Sequence, residues 1–191
     1  FILQYKSSLS IGCFETDIFH FKEKTISAHD IEIDTNLIFK DFLKSNFKKT
    51  TVWMDSKNFD KKENCIYGLK WLQKYSLKFK KILVEIPSSS IKQINDKEWL
   101  DCMQEIKLIK NIELAYYLNN ELLRECSNQT NIQNCKYLNV DTKNFLNKTN
   151  IKSITFDYQD GYEAVSNSQS MEDYNWHVWH VEELEDINKL L

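Results

Sequence analysis

Residues 12–30 read GCFETDIFHFKEKTISAHD, and the first half of that stretch sets the architecture. Across 13–19 the side chains alternate. Phe14, Thr16 and Ile18 fall on one face; Cys13, Glu15, Asp17 and Phe19 fall on the other, which is the period of a strand. Gly12 stands where a helix over 2–11 would end. The run 25–28 (TISA) predicts a second short strand. It follows too closely for a helical crossover and reads as an excursion in a strand-to-helix loop.

Further along, strand-like and helix-like runs alternate. Strands are predicted at 50–55, 81–86, 112–117, 136–140, 152–157 and 176–181. Helices are predicted at 37–46, 60–76, 95–109, 119–126, from Asp141 to about 148, at 161–168 and at 182–191. With 13–19 this makes seven main strands. Strand-then-helix alternation implies a parallel α/β fold. Two architectures fit: a doubly wound sheet, or an eight-stranded barrel lacking its first strand, since the chain opens on a helix. A (β/α)8 barrel typically takes ~250 residues, so 191 residues suit a compact or truncated one.

One domain over 1–191 is expected, because 191 residues at 42% hydrophobic can bury one sizeable core. Lys and Arg number 25 against 28 Asp and Glu, which argues against a nucleic-acid partner. No apolar run is long enough for a transmembrane segment. The five cysteines, Cys13, Cys65, Cys102, Cys126 and Cys135, show no CxxC spacing. Free thiols in a reducing compartment, and so a cytoplasmic location, are the expectation, with one Cys126–Cys135 bridge as the alternative. Sequons at Asn128 and Asn147 weigh little in a chain so rich in asparagine.

Three short constellations carry chemistry. Glu15 and Asp17, at i and i+2, point to one side near a strand's C-terminal end. Two such carboxylates repel, and a divalent cation relieves the conflict; hard oxygen ligands suit Mg2+ or Ca2+. His29, after the short strand, is placed to act as a general acid or base. Trp53, Asp55 and Lys57 share a face if the strand continues. Asp55 then completes a three-carboxylate metal set, and Lys57 puts a fixed positive charge where a phosphate oxygen would bind. Glu85, before Pro87, and Trp179, on the last strand, are candidate substrate-binding residues.

In order and spacing these motifs resemble the glycerophosphodiester phosphodiesterase family: G-x-x-E-x-D at Gly12–Asp17, then the His29-Asp30 pair, then Asp55-x-Lys57. That family usually has Glu at the position of Asp55. The related sphingomyelinase D toxins have Asp, so the match extends to the phospholipase-C-like phosphodiesterase superfamily. The closing Val178-Trp179-His180-Val181 is similar to the family's last strand. The resemblance implies a (β/α)8 TIM-type barrel whose first strand, with a His-Arg pair at its end, is expected before Phe1. It implies a phosphoric diester hydrolase acting on a small-molecule phosphodiester. Glu15, Asp17 and Asp55 would bind Mg2+ or Ca2+, Lys57 would assist and His29 would transfer protons. A substrate hydroxyl would attack first to form a cyclic phosphate. The alternative is a catalytically lapsed barrel of the same family, serving as a binding or assembly module.

Overall fold

A computed structural model of the chain describes residues 13–22, 24–28, 47–118, 123, 140–166, 173–179 and 181. The predicted helices at 2–11, 37–46 and 182–191 lie outside these residues, as does His29. So does 119–126, apart from Leu123. The fold is mixed α/β with seven strands among the described residues, mostly parallel, and the chain divides into two compact units, residues 1–114 and 115–191.

In the first unit, β1 (Cys13–His20) takes the strand that the alternation predicts. β2 (Thr25–Ser27) pairs with it antiparallel and forms the edge. The excursion is therefore a member of the sheet rather than loop alone. Its buried Ser27 hydroxyl lies 2.8 Å from that of Thr16. β3 (Phe47–Ser56) lies parallel to β1, and β4 (Phe79–Ile86) parallel to β3. Between β3 and β4 runs helix α1 (Lys62–Tyr75), and α2 (Lys97–Lys107) follows β4. Asp96 caps α2 by accepting from the Trp99 amide at 3.0 Å.

Alternation sorts the two faces of these strands. Ile18, Val52, Met54, Ile82, Val84 and Ile86 are buried on one. His20 belongs to the same face, and its ring packs on Phe59 and on Trp71 of α1, centroids 5.0 and 5.9 Å away. Gly68 of α1 is required there. A Cβ at that position would fall 2.3 Å from the Phe59 ring and 3.1 Å from His20. The opposite face carries Glu15, Asp17, Trp53, Asp55 and Glu85.

Cys65 on α1 and Cys102 on α2 form a disulfide, both sulfurs buried. This corrects the expectation of free thiols, which holds only for the exposed Cys13 among the described cysteines. Cys126 and Cys135 lie outside the described residues.

β5 (Ile112–Tyr117) spans the boundary between the units and has the predicted bounds. In the second unit come α3 (Val140–Thr149), β6 (Ser153–Asp157), α4 (Tyr158–Ser166) and β7 (Asn175–Trp179). Ala115 of β5 pairs directly with Ser153 of β6; of the predicted strand at 136–140, residues 136–139 lie outside the described residues and Val140 is helical. β6 is buried along its whole length, as an inner parallel strand is. Tyr116 packs on Phe145 of α3 at 5.0 Å.

Candidate active site

Register brings three carboxylates into one row. Asp17 of β1 is the partner of Asp55 of β3, and Asp55 is the partner of Glu85 of β4. Neighbours in register on parallel strands share a face, so the row runs across the sheet near the strands' C-terminal ends. Glu15 lies on the same face, paired with Trp53, and is exposed.

Lys57 closes the row. Its Nζ lies 2.9 Å from Asp17 Oδ1 and forms an ion pair with Asp55 Oδ2 as well. Partial burial disfavours the ammonium. The Asp55 and Asp17 carboxylates outweigh that and hold the lysine pKa above its usual range. The segment bearing Lys57 is fastened to β1 at two points. The Lys57 amide donates to Ile18 O at 3.0 Å, and the Asn58 side chain both accepts from the His20 amide at 3.0 Å and donates to its carbonyl at 2.9 Å. The ammonium is thus aimed by backbone rather than by a free loop.

Glu85 is 4% exposed, and its Oε2 accepts from the Trp53 indole N–H at 3.1 Å. This role of Trp53 is missed by strand alternation. Only the cross-strand register reveals it, and the two residues are 32 apart in sequence. A second link joins the loops after β3 and β4, with Ser89 Oγ donating to Asp60 Oδ2 at 2.9 Å.

The predicted residues thus fall into groups. Asp17, Asp55 and Lys57 are in contact, Glu85 continues their row, and Glu15 shares their face. Trp179 ends β7 in the second unit, in register with Asp157 and 6.0 Å from the Tyr117 ring. Among the described residues no three His, Cys, Asp or Glu side chains are gathered closely enough to hold a metal ion. His20 is no substitute for a catalytic histidine. It is buried on the other face, Nδ1 lies 3.1 Å from Thr25 Oγ1, and burial drives its pKa down to about 3.

No protein-family model and no curated protein matches the sequence. Solved structures do. A glycerophosphodiester phosphodiesterase from Parabacteroides distasonis matches with a TM-score of 0.54 at 12% identity, over 100% of this chain and 80% of that one. An Oleispira antarctica phosphodiesterase, solved with its product sn-glycerol-3-phosphate, matches with a TM-score of 0.55 at 11% identity, over 98% and 80%. A Galdieria sulphuraria protein assigned to the same activity matches with a TM-score of 0.56 at 14% identity, over 100% and 81%. The chain has the fold of the glycerophosphodiester phosphodiesterases. That fold agrees with the family resemblance carried by Glu15, Asp17, Asp55 and Lys57.

Proposed function

We propose that the protein is a metal-dependent phosphodiesterase acting on glycerophosphodiester-like substrates, built on a (β/α)8 barrel. The observation that carries this reading is the Asp17–Lys57–Asp55 constellation at the C-terminal ends of adjacent parallel strands, within a fold shared with such enzymes. Asp17 and Asp55 supply the hard carboxylate oxygens that Mg2+ or Ca2+ takes, and the Lys57 ammonium would yield them to the ion. Glu15, on the same face, is the third donor the reading requires. When bound, such an ion would stabilise negative charge developing on a phosphate oxygen.

The other roles belong to the chain's own residues. Lys57 is fully protonated at neutral pH and offers its charge to a second phosphate oxygen. His29 moves the proton of the attacking hydroxyl or the leaving alcohol. Glu85, held by Trp53, accepts a hydrogen bond from a substrate hydroxyl. The Cys65–Cys102 disulfide favours an oxidising compartment over the cytoplasm.

The test is hydrolysis of a glycerophosphodiester during Mg2+ and Ca2+ titration, alongside Asp17→Asn and His29→Ala. Turnover that needs metal and is lost in both variants supports the proposal. Full turnover in excess chelator overturns metal dependence. Metal binding without turnover on any phosphodiester moves the protein to a lapsed, ligand-binding role.

A further inference from the structure

Two of the three large apolar side chains that stand exposed among the described residues lie at one end of the first unit. Leu77, in the turn after α1, is 78% exposed, and Leu108, which caps α2, is 84% exposed. Isolated exposed leucines are ordinary. These two sit on turns that are clamped together. Asn111 Nδ2 donates to Ser76 O at 2.6 Å and to Phe79 O at 3.2 Å, so the 108–111 turn is held against the 76–79 turn. Lysines flank them in sequence. Residues 73–80 and 104–111 contain Lys74, Lys78, Lys80, Lys107 and Lys110 against the single acid Glu105, in a chain whose net charge is −3. Within these two stretches lysine thus outnumbers acid five to one.

We propose that this end of the unit docks on an anionic membrane surface. Leu77 and Leu108 would enter the headgroup boundary, and the lysines would meet lipid phosphates and carboxylates. The leucines protrude rather than line a groove. Exposed apolar side chains flanked by lysine match an interfacial anchor better than a protein partner, whose hot spots would sit in packed, desolvated pockets. Attachment of this kind needs no membrane-spanning helix, and none of the described helices is long and apolar enough to be one. The geometry also orients the unit. Leu77 precedes β4 and Leu108 precedes β5, whereas Asp55 and Glu85 stand near the far ends of β3 and β4, so the carboxylate row points away from the lipid.

The experiment is co-sedimentation of the full chain with vesicles of phosphatidylcholine, with and without about one-third phosphatidylserine. Binding is expected on the anionic vesicles, much weaker on neutral ones, and falling as salt is raised through the range where the screening length shrinks below ~10 Å. Leu77→Gln with Leu108→Gln should lower the partition coefficient by roughly tenfold or more. Lys80→Gln with Lys110→Gln should lower it by about fivefold per lysine and flatten the salt dependence. All four side chains are exposed, so thermal unfolding should be unchanged and loss of binding cannot be charged to misfolding. No binding to anionic vesicles at low salt overturns the proposal, and so does equal binding by the leucine variant. Binding to polyglutamate but not to vesicles overturns it in favour of an acidic protein partner.

Discussion

Asp17 and Asp55 stand opposite each other on β1 and β3 and share one ammonium, that of Lys57. Without it, two half-buried carboxylates would face each other across the spacing of adjacent strands, ~5 Å. Lys57→Met should therefore destabilise the fold by about 1–2 kcal/mol at neutral pH. The raised lysine pKa contributes stability that is present in full below the ordinary lysine value of 10.5 and is lost as pH rises from there through the folded value. Chemical denaturation of both proteins from pH 7 to above 10.5 checks this, the difference between them shrinking on the alkaline side. Equal pH profiles would show that the shared ammonium is energetically idle.

His20 predicts an acid-side weakness that does not involve the site. Its folded pKa, about 3, lies below the ordinary 6.5 because burial disfavours the imidazolium. The unfolded chain thus binds the extra proton first. Stability is complete above about pH 6.5 and is lost at roughly 1.4 kcal/mol per pH unit as pH falls toward 3. His20→Phe keeps an aromatic against Phe59 and Trp71 and gives up the Thr25 contact. It should lower stability at pH 7 but flatten the fall between pH 6 and 4. Urea midpoints at each pH decide the matter; an unflattened fall would put the acid sensitivity elsewhere.

What was legible in the sequence follows from the range of each signal. Strand alternation is local, so the faces of 13–19, the bounds of 112–117 and the common side of Asp55 and Lys57 were readable from the sequence. The E-x-D and D-x-K spacings led to a true contact because both motifs lie at the same height on adjacent parallel strands. Three features were not readable. The Cys65–Cys102 bridge joins two helices across 37 residues, and nothing at either cysteine distinguishes it from a buried thiol. The run 25–28 was legible as a short strand, but three residues are too few to reveal that β2 pairs antiparallel with β1. Val140 ended a strand-like run, KYLNV, yet it lies in a helix, because five residues are too few for one period to be told from another.

The disulfide should matter to stability. It closes a loop of 37 residues between helices that are otherwise joined by packing and the exposed Lys62–Glu98 ion pair, and loop-closure entropy puts its contribution at about 4 kcal/mol as an upper value. Cys65→Ala with Cys102→Ala, or the parent protein in excess reductant, should unfold at a clearly lower temperature. Thiol counting by mass spectrometry under denaturing conditions supplies the direct check. Two alkylated residues at Cys65 and Cys102 in unreduced protein would remove the bridge from the account.

Gly68 should tolerate no side chain. The Cβ of alanine would lie 2.3 Å from the Phe59 ring, inside van der Waals contact, and that ring is itself fully buried between His20 and the helix. Ordinarily glycine to alanine within a helix stabilises by up to about 1 kcal/mol. Here overpacking should reverse the sign and cost about 1–3 kcal/mol. Phe59→Leu opens the space and should partly rescue Gly68→Ala, which random surface destabilisation would not allow. Melting temperatures of the two single variants and the double variant distinguish these outcomes.

Trp53 and Glu85 should be energetically coupled. A carboxylate 4% exposed needs partners, and the indole N–H at 3.1 Å is one of them. Trp53→Phe preserves most of the ring packing and removes that donor, so it should cost about 1–3 kcal/mol at neutral pH. Glu85→Gln removes the charge, which makes the missing donor less costly. The double variant should therefore lose less than the sum of the singles, with a coupling of about 1 kcal/mol or more. Under the proposed function, because Glu85 occupies the same row as Asp17 and Asp55, loosening it should also weaken binding of a polyol phosphate, measured by calorimetry, while leaving the ion pair of Lys57 in place. Additive stabilities with unchanged ligand affinity would mean that the Trp53 hydrogen bond neither holds Glu85 nor shapes the site.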